Sequence, residues 1–300
     1  MIRFGLCCIF NKQPIKFRTT TVTAISKMNR NEAEVKLSGL CESNADSLMQ
    51  AIQYCIENKI GCFRITSRIL PIKTHPVHGY NLIDLPNGQT ILDKFKSCGK
   101  YAEQNNIRLC FHPDQFVVLN SQKPEVVENS LREFEYHAEV AEWLGADVVN
   151  IHAGGVFGSK TTALYDFVKN VNRLSDRARS RLTIENDDKS YNVSDLLPIC
   201  RSESIPLIYD VHHHRCNKDE LTIEEATAEA IKTWNREPMF HISSPIGGWN
   251  GKDQEQHHDF IDIMDFPEFW KDLNLTVEVE AKAKEVAILQ LMENLQELYL

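Results

Sequence analysis

The sequence predicts an α/β protein, a single (β/α)8 TIM barrel covering residues 1–300, with its functional site at the C-terminal face of the strands. Three observations carry the prediction. A chain of 300 residues with 42% apolar side chains fills one large core. Short apolar runs recur eight times, separated by stretches of helical character. The runs are continuous rather than alternating, as expected of strands covered on both faces of a parallel sheet.

In order, the runs are IRFGLCC at 2–8, CFRI at 62–65, RLCF at 108–111 and DVVNI at 147–151, followed by LTIE at 182–185, LIYDV at 207–211, MFHIS at 239–243 and LTVEVE at 275–280. The first helix is predicted over Asn44 to Glu57, with Asn44 as N-cap and Leu48, Ala51, Ile52 and Cys55 on its apolar stripe. A last helix is expected in AKAKEVAILQLMENLQELYL. No repeat, low-complexity tract or linker marks a domain boundary. The loops at 11–40 and 67–88 are long enough to suggest function.

A net charge of −9 argues against a simple basic nucleic-acid binder and assigns any electropositive character to local patches or bound metal. Nine cysteines without a C-x-x-C pair indicate reduced, mostly buried thiols rather than a disulfide framework or zinc ribbon. MIRFGLCCIF is too short for a signal sequence or a membrane span, and no other run approaches about 18 apolar residues. A soluble cytoplasmic protein, associating with the nucleoid when it acts on DNA, is expected.

Metal-binding side chains collect where the runs end: His112 after the third, His152 after the fourth, Glu185 after the fifth, Asp210 and one or more of His212, His213 and His214 after the sixth, His241 in the seventh and Glu280 closing the eighth. His75 and His258 lie on the loops after the second and seventh. In a parallel barrel these points share one end. Neutral imidazoles and carboxylates suit zinc or manganese, and this many ligands suggests a multinuclear site in which Glu185 and Glu280 bridge. Isolated histidines near strand ends are more often hydrogen-bonded core residues than ligands, and His78, His137 and His257 are read that way. HAGGVFG lacks the spacing of a phosphate-binding glycine loop.

The ordered motifs FRI, THP, HPDQF, NIHAGG, IENDD, YDVHHHRCN, HISS and VEAKAKE resemble those of the UV DNA damage endonucleases, single-domain TIM-barrel relatives of endonuclease IV, over nearly the whole chain. The resemblance implies nicking of damaged double-stranded DNA immediately 5′ of cyclobutane pyrimidine dimers and 6-4 photoproducts, with divalent metal ions, three in number, manganese foremost and zinc or magnesium as alternatives. It implies no membrane and no obligatory protein partner. Carried over, the metal positions are His75, His112, His152, Glu185, Asp210, His213, His241, His258 and Glu280, which selects His213 from the triple histidine; Glu185, Glu280 and Asp210 are the catalytic carboxylates. Gln115 and Phe116 match a Gln-Tyr pair that enters the duplex, Phe116 keeping the stacking face without the hydroxyl. Met239 stands where some members carry a modified lysine ligand, and Leu6 where some carry an active-site tyrosine, so Asn11 or Lys12 is expected to contact the lesion. Phosphate contacts are expected from KQPIKFR with Arg64, Arg68 and Lys73. Two other readings of the same residues are a xylose-isomerase-like sugar isomerase or epimerase and a catalytically weakened lesion-binding protein.

Overall fold

A computed structural model describes residues 2–298. Eight parallel strands close into a barrel in sequential order: β1 (Ile2–Cys7), β2 (Cys62–Ile65), β3 (Arg108–Phe111), β4 (Val148–His152), β5 (Leu182–Glu185), β6 (Leu207–Asp210), β7 (Met239–Ile242) and β8 (Leu275–Val279). All eight fall on the predicted runs. The seam is β1 against β8, with Leu6 opposite Val279.

Around the strands run α1 (Val22–Ile25), α2 (Arg30–Glu57), α3 (Gly88–Gln104), α4 (Pro124–Leu144), α5 (Lys160–Val171), α6 (Asp176–Arg179), α7 (Val193–Glu203), α8 (Val211–Cys216), α9 (Ile223–Ile231) and α10 (Glu285–Leu298). Tyr299 and Leu300, included in the predicted last helix, lie outside the described residues. The first long helix starts earlier than expected, because Asn29 and Glu32 form a reciprocal capping box that the stripe-based reading passed over. Asn44 is therefore not a cap. Fully buried in mid-helix, its amide accepts from Arg18 N (2.7 Å) and donates to Arg18 O (2.9 Å) and Ile69 O (2.8 Å), tying two long loops to α2.

Strand parity divides the core. Leu6, Phe63, Phe111, Val149, Ile184, Tyr209, Phe240 and Val277 belong to the large apolar cluster that includes the buried faces of the helices. Alternate residues form the interior: Cys62, Cys110, Val148, Ile208 and Met239 make a separate apolar cluster. Two residues further along each of these strands come Arg64, His112, Asn150, Asp210 and His241. Parallel register then sets His152 beside Glu185, Asp210 beside His241, and His241 beside Glu278. A period of two therefore turns an apolar floor into a polar mouth.

Candidate metal centre

Glu185 ends β5 at 1% exposure, and its two oxygens face different partners. Oε2 accepts from Asn150 Nδ2 (2.5 Å) and lies 3.1 Å from His112 Nε2 and 4.0 Å from His152 Nε2. Oε1 lies 3.3 Å from His213 Nδ1 and 3.2 Å from His241 Nδ1. Three groups of close donor atoms share these residues: His112, His152 and Glu185; Glu185, Asp210 and His213; Asp210, His241 and Glu280. The sharing matters because a carboxylate common to two groups has the arrangement of a bridge between neighbouring cations.

The triple histidine divides three ways because the strand ends at Asp210, which caps α8 by accepting from His213 N (2.7 Å). His213 turns back over the mouth. His214 pairs with Tyr209 Oη (2.6 Å) and Asp219 (3.2 Å). His212, fully buried, packs its ring against Trp249 (5.2 Å) and His257 (5.3 Å).

Electrostatics and hydrogen bonding both fit a cation. Burial alone would raise the Glu185 carboxyl, but His241, His152 and hydrogen bonds from His112 and His213 hold it well below the ordinary carboxylate range. Burial likewise opposes protonation of His213, yet Asp210 and Glu185 push it well above its usual value. The His241 imidazole reaches about 10, since Glu185 and Glu278 outweigh burial and Arg64. These imidazoles sit in a field that attracts positive charge, and protons and divalent cations compete there for the same lone pairs. Asp210 Oδ2, His152 Nδ1 and His241 Nδ1 are buried without a hydrogen-bond partner among the described residues. Such orphaned atoms are costly unless something else satisfies them, so the residues present fit divalent cations.

Two predicted ligands are outside these groups. His75 Nδ1 accepts from the amides of Val77 (3.2 Å) and His78 (3.0 Å), which leaves the proton on Nε2. His258 is exposed, and its Nδ1 accepts from Phe260 N (3.0 Å). Its neighbour His257 instead turns inward, with Nδ1 3.8 Å from Glu280 Oε2 and its ring 6.3 Å from that of His213. Sequence reasoning assigned His257 to the background, and two adjacent histidines on a loop gave no periodicity to separate them.

Around the mouth, Gln115 and Phe116 form an exposed turn after β3, with Phe116 75% exposed. The Gly154 φ is +86°, and a Cβ there would stand 2.2 Å from Asn120 Oδ1, so HAGGVFG is built for close approach to the β3 loop. The side chains of Asn11, Lys12, Lys16 and Arg18 are exposed; the backbone amides of Asn11 and Lys12 donate to the buried Glu285 carboxylate at 2.7 and 2.6 Å. Two of the expected phosphate contacts are internal instead. Arg64 is 6% exposed and bonded to Glu278 and Glu280, and Lys73 is largely buried beside Glu139 (3.4 Å). Arg68 stays on the surface near Asp114 (3.5 Å). Leu6 is fully buried against the helices, and Met239 belongs to the apolar floor, so neither reaches the site. Among the described residues no helix is long and apolar enough to cross a membrane.

Comparison with known proteins bears on this geometry. A sequence model of the family UV-endonuclease UvdE matches residues 2–299. UV DNA damage endonucleases from Bacillus mycoides and Bacillus cereus are 33% and 31% identical to this chain, covering 97% and 98% of it and 94% and 95% of their own lengths. The crystal structure of SacUVDE superposes with a TM-score of 0.88 at 28% identity, covering 100% of this chain and 99% of that one. Endonuclease IV from Thermus thermophilus, at 14% identity and a TM-score of 0.63 over 98% of this chain and 99% of its own, shares the fold. So does D-psicose 3-epimerase from Clostridium cellulolyticum, at 15% and 0.53 over 77% and 78%.

Proposed function

Because this chain belongs to the UV-endonuclease UvdE family and is a DNA repair endonuclease for UV lesions, we propose that it nicks duplex DNA immediately 5′ of cyclobutane pyrimidine dimers and 6-4 photoproducts, dependent on divalent metal ions. The observation that carries the metal dependence is the split of Glu185 between two sets of imidazoles, beside the orphaned Asp210 Oδ2 and His241 Nδ1. The residues that would hold up to three cations are His112, His152, Glu185, Asp210, His213, His241 and Glu280, with His257 in place of His258 and His75 outside the set. Manganese suits this oxygen and imidazole set, and zinc and magnesium are the alternatives. When bound, such ions supply an activated water and a counter-charge for the leaving oxygen of an in-line displacement.

The protein's own groups do the positioning. Glu185 and Glu280 fix the carboxylate frame in which the scissile phosphate is received, and Asp210 is locked by its cap to α8. Asn150 holds Glu185 in place from β4. Phe116, having no hydroxyl, stacks on exposed base faces while Gln115 offers an amide beside it, keeping a distorted duplex open. Lys12, Lys16 and Arg18, on a loop tethered through Glu285, reach backbone phosphates, and Asn11 reaches the lesion.

The test is an end-labelled duplex with one defined pyrimidine dimer, incubated with manganese and with chelator, the nick mapped to the nucleotide. Manganese-dependent scission immediately 5′ of the dimer, absent from the undamaged duplex, is expected. Scission elsewhere, or equal scission in chelator, overturns the proposal.

A further inference from the structure

Beneath the ligands, Arg64 lies almost wholly buried inside the barrel. Its Nη1 is 2.6 Å from Glu280 Oε1, and its Nε and Nη2 are 3.0 and 2.6 Å from Glu278 Oε2. Nη2 is also 3.0 Å from His241 Nε2, while Glu278 Oε2 stands 2.8 Å from the same nitrogen. His241 Nε2 thus meets a group that only donates and a group that only accepts. Its choice between them decides what the opposite face of the ring can do. If Nε2 accepts from Arg64, a neutral ring carries its proton on Nδ1, the nitrogen facing Glu185 Oε1 and Glu280 Oε1 at 3.2 and 3.5 Å. If Nε2–H donates to Glu278, Nδ1 presents a bare lone pair to those carboxylates.

Glu278 is held for the second role. Its Oε1 accepts from the Cys110 thiol at 3.1 Å, so both oxygens are fixed. Gly5 on β1 leaves room for it, since a Cβ there would stand 3.1 Å from Glu278 Cγ. Nothing in the reading of strand-end ligands assigns this residue a part, because it sits one inward position below Glu280.

We propose that Glu278 is a positioning residue for the metal centre: by accepting from His241 Nε2 and engaging the Arg64 guanidinium, it selects the ring tautomer whose Nδ1 can ligate. This rests on the metal-dependent reading above. It predicts an antagonism: without Glu278, Arg64 becomes the partner of Nε2 and turns the ring proton toward the cations.

The experiment is a calorimetric titration of chelator-treated protein with manganese, comparing wild type, Glu278→Gln and the double variant Glu278→Gln/Arg64→Met, with circular dichroism on each. Glu278→Gln is expected to weaken manganese binding by roughly 10- to 100-fold, the range for residues that orient a ligand; removal of Arg64 in that background restores most of the loss. Unchanged affinity in the single variant, or a further fall in the double variant, overturns the proposal. A wild type that binds no manganese, zinc or magnesium overturns the metal reading itself, a separate outcome. Should the single variant fail to fold, long-range proton–nitrogen correlation spectra of the zinc-loaded wild type decide: a proton on His241 Nε2 supports the assignment, and one on Nδ1 overturns it.

Discussion

The two ends of this barrel carry similar residue types under opposite rules. At the N-terminal end charges meet their counterparts: Arg3 pairs with Glu237 (2.9 Å), and Arg108 and Arg236 share Asp147 (2.7 and 3.1 Å). Thr276 completes the network, donating to Glu237 and accepting from Arg108. At the C-terminal end Glu278 and Glu280 share one buried arginine, Glu185 and Asp210 face imidazoles, and several polar atoms have no hydrogen-bond partner among the described residues. At the first end each buried charge has a counter-charge within the chain, whereas at the second two glutamates share a single guanidinium. Local charge balance therefore distinguishes the face that stabilises a barrel from the face that works.

Substitutions at the two ends should separate in kind. Glu185→Gln at the working end should lower nicking roughly a thousandfold or more, the scale of losing an essential group, and reduce metal content. Unchanged nicking and metal content in that variant would break the contrast. His257→Ala should weaken manganese binding about tenfold or more, and His258→Ala should leave it within about twofold; calorimetry on the pair checks which ring turns inward. Arg108→Met at the closed end should cost about 2 kcal/mol, less than a fully buried pair because Asp147 is partly exposed, with kcat on a dimer-containing duplex unchanged. Denaturant melts paired with single-turnover assays would show it. Phe116→Ala should weaken binding of damaged duplex about tenfold, the loss of one stacked base, without altering stability, since that ring is 75% exposed. The smallest effect is on pH. Burial raises the Asp147 carboxyl, but Arg108 and Arg236 outweigh it and leave it below its ordinary 3.8. Its stabilising contribution is thus present above that value and lost as pH falls further, a decline that Arg108→Met should flatten in melts below pH 4.

Much of this was legible because strand and site obey the same short period. Continuous apolar runs located all eight strands, and the residues closing them supplied His112, His152, Glu185, Asp210, His241 and Glu280, whereas His213 came from the family resemblance. What was not legible depends on how chain segments turn after a strand ends. His257 and His258 differ by one loop residue, and only the tertiary course of that loop sends one inward. Spacing alone could not divide His212, His213 and His214, because the chain enters a helix directly after Asp210. Arg64 was read as a phosphate contact because composition cannot distinguish a surface arginine from one drawn inside by two glutamates. Glu278 left a signal that went unused: it lies two residues before Glu280, on the same side of the strand.

The tether from Glu285 to the amides of Asn11 and Lys12 crosses the seam where first and last strands meet. Its timing on the ribosome follows. Glu278, Glu280 and Glu285 emerge after the first seven strands, so the loop carrying Lys12 and Arg18 waits for its anchor while the barrel between them is made, on the order of tens of seconds at typical synthesis rates. A nascent chain therefore has neither its full set of buried carboxylates nor its anchored basic loop, and the ability to cut DNA arises only as the barrel closes.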